Sequence, residues 1–185
     1  KLLNQLLEAY KPTALNEYAE VQSYAKSHGA ELEIMPWDWS YYSEKLKHEK
    51  YNISDEVLKP YFELNKVKGA VFGLAQKLYG MTFVPNKKIP VYHNDVEAFD
   101  VFDSKGAFLA VLYVDFYARE SKRGGAWMTE FKGQWKDGGE DSRPHISLVM
   151  NFTPPRGNEP VLLTFDELTT FLHEFGHAIH GMLSD

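Results

Sequence analysis

The run TFDELTTFLHEFGHAIHGML can be little other than an amphipathic helix. Thr164 followed three residues later by Glu167 is a capping box, in which each side chain satisfies a backbone N–H that the first helical turn leaves unpaired. Behind it, Leu168, Phe171, Leu172, Phe175, Ile179 and Met182 recur at the helical period, so a helix is predicted over roughly Phe165 to Leu183.

The same helix carries His173, Glu174 and His177 in the order HExxH. At about 100° per residue, the two histidines differ by ~40° in direction and ~6 Å in height, so both imidazoles can reach one ion from one face. Glu174 lies beside them rather than between them, where a general base acting on water belongs. With no cysteine in the chain, a metal site has to use nitrogen and oxygen ligands, and zinc suits them. The competing reading makes the histidines core residues satisfied by hydrogen bonds. Gly176 favours the metal, because a glycine inside a helix costs ~1 kcal/mol relative to alanine and is easiest to understand where a backbone or ligand comes close. His180 faces almost the same way as His173 but stands ~10 Å along the axis, too far to share the ion, and is assigned a supporting role. His28, His48, His93 and His145 come singly, without ligand spacing.

Upstream, the fold reads as α+β: mostly helical, with a small β-sheet and the HExxH helix at the end. Residues 1–80 form the helical part, 81–163 the sheet and its loops, and 164–185 the final helix. Leu2, Leu3, Leu6, Leu7 and Tyr10 follow the helical period as far as Pro12, and Leu15, Tyr18, Ala19, Gln22 and Ala25 resume it until Gly29, which predicts a helical hairpin. Asp38 is the candidate cap for a helix over Ser40 to Lys50. Trp37, Trp39, Tyr41 and Tyr42 are expected to pack between helices. Val67, Ala70, Val71, Leu74 and Leu78 make a further stripe that Gly80 ends. Beyond it, EAFDVFD and AFLAVLYVDFYA flank SKG as a β-hairpin, and HISLVMNF reads as a strand closed by Pro154 and Pro155. SKRGGAWM and KDGGEDSRP look like exposed loops around a short segment, Ala126 to Thr129.

Composition removes several function classes. A net charge of −6 without a basic block makes nucleic acid an unsuitable partner. The longest apolar run, Ala107 to Val114, is far short of the ~20 residues that cross a bilayer. The cysteine-free sequence fits the cytoplasm.

Three separated stretches, LLTFDELTTFLHEFGHAIHGMLS, DFYARESKRGGAWM and PWDWSYYSEKLKHEKYNISDEVLKPYFELNKV, resemble the thimet oligopeptidase family, and within it the bacterial peptidyl-dipeptidases. The similarity runs from about Glu31 to Asp185. It implies a zinc peptidase acting on short peptides in a deep channel, with His173 and His177 as metal ligands and Glu174 as the catalytic glutamate. The peptidyl-dipeptidases release dipeptides from a free C-terminus, whereas endo-acting oligopeptidases share the same motifs; a catalytically silent domain is the reading outside the enzyme class. In peptidases of this architecture the substrate backbone lies along an exposed strand, for which Gly125, Ala126 and Trp127 are the candidates. Arg123 or Lys122 could attract a peptide carboxylate, although a solvated charge pair is the commoner case. The family draws its third metal ligand, a glutamate, from a later helix. The expectation is therefore an excised central piece that is inactive alone and holds zinc loosely, with a last turn, Gly181 to Asp185, prone to fray.

Overall fold

The computed structural model describes residues 1–30 and 33–184; Glu31 and Asp185, the limits of the family resemblance, lie outside them. It divides into two units, Lys1–Ser54 and Asp55–Asp185.

The first unit contains α1 (Leu2–Ser27) and α2 (Trp39–Tyr51). The expected break at Pro12 does not occur: α1 runs through it as one helix of 26 residues. Proline removes one hydrogen bond to the carbonyl four residues back, and here that carbonyl belongs to exposed Glu8, where water can take the bond's place. Asp38 precedes α2 but makes no side-chain cap, and its Oδ2 instead accepts from the Met35 N–H at 3.0 Å. Val21, Ala25 and Ile34 form a small core with Trp39, Tyr42 and Leu46 around it. Trp39 stacks on Tyr18 with centroids 6.1 Å apart. The expectation for the aromatic stretch is thus met by Trp39 and Tyr42 and not by Trp37 or Tyr41, which are exposed.

The second unit is built on a five-stranded sheet. After a single helical turn, α3 (Asp55–Leu58), comes α4 (Leu64–Tyr79), capped by Glu63, whose carboxylate accepts from the N–H groups of Asn65 and Lys66, and ended by Gly80 at φ 70°. Strands β1 (Thr82–Pro85), β2 (Glu97–Phe102) and β3 (Phe108–Tyr117) follow as an antiparallel meander. Asp103 Oδ1 accepts from the N–H groups of Lys105 and Ala107 and so shapes the SKG turn. The chain next forms β4 (Trp127–Lys132) and a separate hairpin of β5 (Trp135–Asp137) and β6 (Glu140–Ser142), then returns as β7 (His145–Phe152). KDGGEDSRP is therefore a paired hairpin turning on Gly138 and Gly139, both at positive φ, and not a plain loop. The sheet order is β1-β2-β3-β7-β4; β3 and β7 pair in parallel, and β4 lies antiparallel to β7 at the edge.

Alternation along the strands makes one apolar face, with Leu112, Val114 and Phe116 of β3 beside Ile146, Leu148 and Met150 of β7. Helix α5 (Phe165–Leu183) lies on it, burying Phe171, Phe175, Ala178 and Met182. The Phe171 and Phe116 rings meet edge to face at 5.2 Å, and Phe72 of α4 sits between Phe83 and Phe175, with centroid distances of 4.2 and 5.7 Å. Of these rings Phe116, Phe171 and Phe175 are buried, and a fully buried side chain of that size stabilises the fold by ~1.5–3 kcal/mol. No described helix is long and apolar enough to cross a membrane.

The end of α5 is held at Gly181 and Met182, where fraying was expected over Gly181 to Asp185, the last of which lies outside the described residues. Gly181 and Met182 are buried, and Arg143 donates from Nε to the Leu109 carbonyl at 2.8 Å and from its NH2 group to the Met182 carbonyl at 3.0 Å. A cation at the carbonyl end of a helix is favourably placed. Close packing here depends on Gly181, since a Cβ at that position would stand 2.9 Å from Ile146 Cδ1. A Cβ on Gly176 would meet nothing within 4 Å, so no described neighbour requires glycine at that point. Gly181→Val is expected to destabilise the fold by about 1–3 kcal/mol through overpacking. Gly176→Ala should instead stabilise it by up to ~1 kcal/mol. Thermal unfolding of the two variants against the parent checks the pair, and equal shifts would refute this account of the glycines.

Candidate metal centre

The HExxH residues stand in the middle of α5, whose start is secured by the predicted capping box: the Thr164 N–H donates to Glu167 Oε2 at 2.8 Å and the Glu167 N–H to Thr164 Oγ1 at 3.1 Å. Because Phe171, Phe175 and Ala178 face the sheet, His173 and His177 are turned outward and are exposed, with Glu174 half-buried beside them. The two histidine Nε2 atoms lie 3.2 Å apart and the rings are inclined at 75°. Two nitrogens each ~2.0–2.1 Å from a tetrahedral ion stand about 3.3 Å apart, so the separation of the pair matches that of two zinc ligands. A neutral pair can also share one proton between these atoms, one ring donating and the other accepting. Among the described residues no third His, Cys, Asp or Glu joins them in a group able to hold a metal.

A cleft of about 360 Å³ opens beside the pair, lined by Ala126, Thr169, Thr170, His173 and Glu174. Ala126 immediately precedes β4, so the edge of the sheet begins next to the HExxH face. Gly125 is exposed and turns with φ 91°. Trp127 is the first residue of β4, but its side chain lines a different cavity, of about 550 Å³, on the opposite face of the sheet with Tyr92, Asp115 and Phe131. Only its backbone can belong to the edge. His180 is exposed, and among the described residues its ring has no hydrogen-bond partner; its carbonyl accepts from Ser184.

The charges ahead of β4 do not form the solvated pair expected of a loop. The Lys122 side chain is buried, with Nζ bonded to Asp115 Oδ1 at 3.1 Å, to the Asp115 and Tyr117 carbonyls at 3.1 and 2.7 Å, and to the Met150 carbonyl. Asp115, only 1% exposed, also takes a bidentate pair of 2.8 Å bonds from Arg119 and a 3.0 Å bond from the Tyr92 hydroxyl. Burial pushes the Asp115 carboxyl upward, but the bonds from Arg119, Lys122 and Tyr92 together outweigh it and hold the group below the usual carboxylate range. Burial pushes the Lys122 ammonium below its own usual range, with Asp115 pulling the other way. Lys122 is thus committed to the interior and not available to a peptide carboxylate. Arg123 is exposed.

Sequence reasoning passed over Asn151, whose Nδ2 donates to the carbonyls of Arg123 and Gly125, both at 2.7 Å. The available signal was a polar amide near the end of the strand HISLVMNF, after the apolar residues Leu148, Val149 and Met150.

The model of Peptidase family M3 matches residues 1–185. Oligopeptidase A of Escherichia coli is 41% identical over 183 residues, 98% of this chain and 27% of that protein. Dipeptidyl carboxypeptidase of Salmonella typhimurium is 43% identical over 171 residues, 92% of this chain and 25% of that protein. Organellar oligopeptidase A of Arabidopsis thaliana is 41% identical over 192 residues, 100% of this chain and 24% of that protein. The chain spans about a quarter of the length of these relatives.

Proposed function

Since the chain belongs to peptidase family M3, we propose that it carries the metal-binding histidines and the general base of a zinc peptidase acting on short peptides. The observation that carries this reading is the convergence of the His173 and His177 Nε2 atoms at 3.2 Å on an exposed face, with Glu174 opening onto the adjoining cleft. His173 and His177 would hold the ion, and a third ligand would come from outside the described residues. Zinc, when bound, supplies positive charge that polarises a carbonyl and acidifies water. Glu174 takes a proton from the attacking water and delivers it to the departing amine. The backbone at Gly125, Ala126 and Trp127 offers hydrogen bonds to an extended peptide laid along the β4 edge.

Release of C-terminal dipeptides is one form of this activity and endo cleavage the other; a relative named dipeptidyl carboxypeptidase is 43% identical to the chain and one named oligopeptidase A 41%. Blocking the substrate C-terminus should abolish dipeptide release and leave endo cleavage largely intact. The 185-residue polypeptide by itself is expected to bind zinc loosely, giving it up to dilute chelator, and to hydrolyse no peptide, because two imidazoles leave most of the coordination to water. Metal analysis and a dipeptide-release assay test this. Stoichiometric, chelator-resistant zinc with turnover would show that the third ligand lies within these residues. A full-length protein whose peptidase activity is indifferent to chelator would overturn the zinc reading altogether.

A further inference from the structure

The segment from Ala118 to Ala126 joins the end of β3 to the edge strand β4, and it has no regular secondary structure of its own to hold it. Two side chains fix it from the sheet side. Lys122 reaches inward to the carbonyls where parallel β3 and β7 end, those of Tyr117 and Met150, and to Asp115. Asn151, one residue past Met150 on β7, uses its amide NH2 group to grip the carbonyls of Arg123 and Gly125. An amide has two N–H donors in one plane, and here each has a backbone acceptor, so the pair closes the turn at Gly125 much as a short hairpin bond would. The grip lies immediately before Ala126, the residue that shares the cleft with His173 and Glu174.

We propose that Asn151 is a positioning residue for substrate: by holding the Gly125 carbonyl it sets where the β4 edge begins relative to His173 and Glu174, and Lys122 anchors the same segment one turn earlier. The inference rests on the reading of that edge as the place where the peptide backbone is bound. Its chemistry is specific to the amide. A carboxylate of the same shape would turn oxygens toward both carbonyls and reverse the interaction, and a methyl would simply remove it.

The test compares Asn151→Asp and Asn151→Ala with the parent in the full-length, zinc-loaded protein, following peptide hydrolysis, zinc content and amide hydrogen exchange together. For both variants, KM should rise by about tenfold or more, the scale of two lost hydrogen bonds, with a smaller fall in kcat and unchanged zinc content. Exchange at residues 123–128 should quicken while that of β2, β3 and α5 stays as it was. Asn151→Ala keeps the test open if the added charge of the Asp variant prevents folding. Faster exchange with unchanged KM would show that the segment lies outside the substrate site, and unchanged exchange would show that Asn151 does not hold it; either result overturns the proposal while leaving the peptidase reading intact. A zinc-loaded parent that hydrolyses no peptide, blocked or free, would overturn both.

Discussion

Glu174→Gln in the full-length protein should lower kcat by about 10²–10⁴-fold, the usual contribution of a positioned general base. Glutamine preserves the shape and much of the packing of the half-buried glutamate but cannot accept a proton at neutral pH. Zinc content and KM should stay near those of the parent, because Glu174 lines the cleft beside the histidines without standing between their Nε2 atoms. His173→Ala should behave differently, losing zinc along with activity, since a single remaining imidazole holds the ion poorly. Hydrolysis of a peptide under saturating zinc, with metal content measured on the same samples, separates the two effects. Turnover by the Gln variant within threefold of the parent would remove Glu174 from the chemistry.

Asp115→Asn should destabilise the second unit by about 3–5 kcal/mol, the scale of breaking a buried ion pair from one side. The loss is large because Lys122 remains buried, with an exposure of 4%, and Arg119 loses its bidentate partner. Arg119 is partly exposed, but Lys122 cannot find water without disturbing the ends of β3 and β7. Urea unfolding followed by tryptophan fluorescence measures it, with the exposed carboxylate of Glu44 as the control: its 3.2 Å pair with Lys47 should be worth no more than ~1 kcal/mol. The sign of the pH dependence follows from the folded carboxyl being held below its unfolded value. Its contribution is present above the unfolded pKa of about 3.9 and is lost as pH falls through the lower folded value. Between pH 5 and pH 2, roughly, the parent should lose stability that the Asn variant has already lost. An Asn variant within 1 kcal/mol of the parent at pH 7 would mean that the cluster relaxes and is not the anchor inferred from its geometry.

What could be read from the chain in advance were features whose causes lie within a few residues of one another. The capping box of Thr164 and Glu167, the stripe from Leu168 to Met182, the stop at Gly80 and the turn at Asp103 to Gly106 are satisfied by neighbours in sequence, and α5, α4 and the β2–β3 hairpin stand where they predict. The convergence of His173 and His177 is of the same kind, being a consequence of helical pitch. Tertiary structure decided the rest. Pro12 could stay within α1 because the carbonyl it leaves unpaired faces solvent, which composition around the proline does not announce. Lys122 became an interior residue because the Met150 carbonyl, 28 positions away in sequence, meets the Tyr117 carbonyl and the Asp115 carboxylate at the ends of two parallel strands. The pairing of β4 with β7 brings Ala126 beside His173, 47 positions later, and long-range registers of that sort depend on which faces bury together. The residue types and spacing of the histidine pair were therefore set locally, whereas the cleft beside it, its edge strand and the Asn151 grip behind that edge exist only because the sheet assembles.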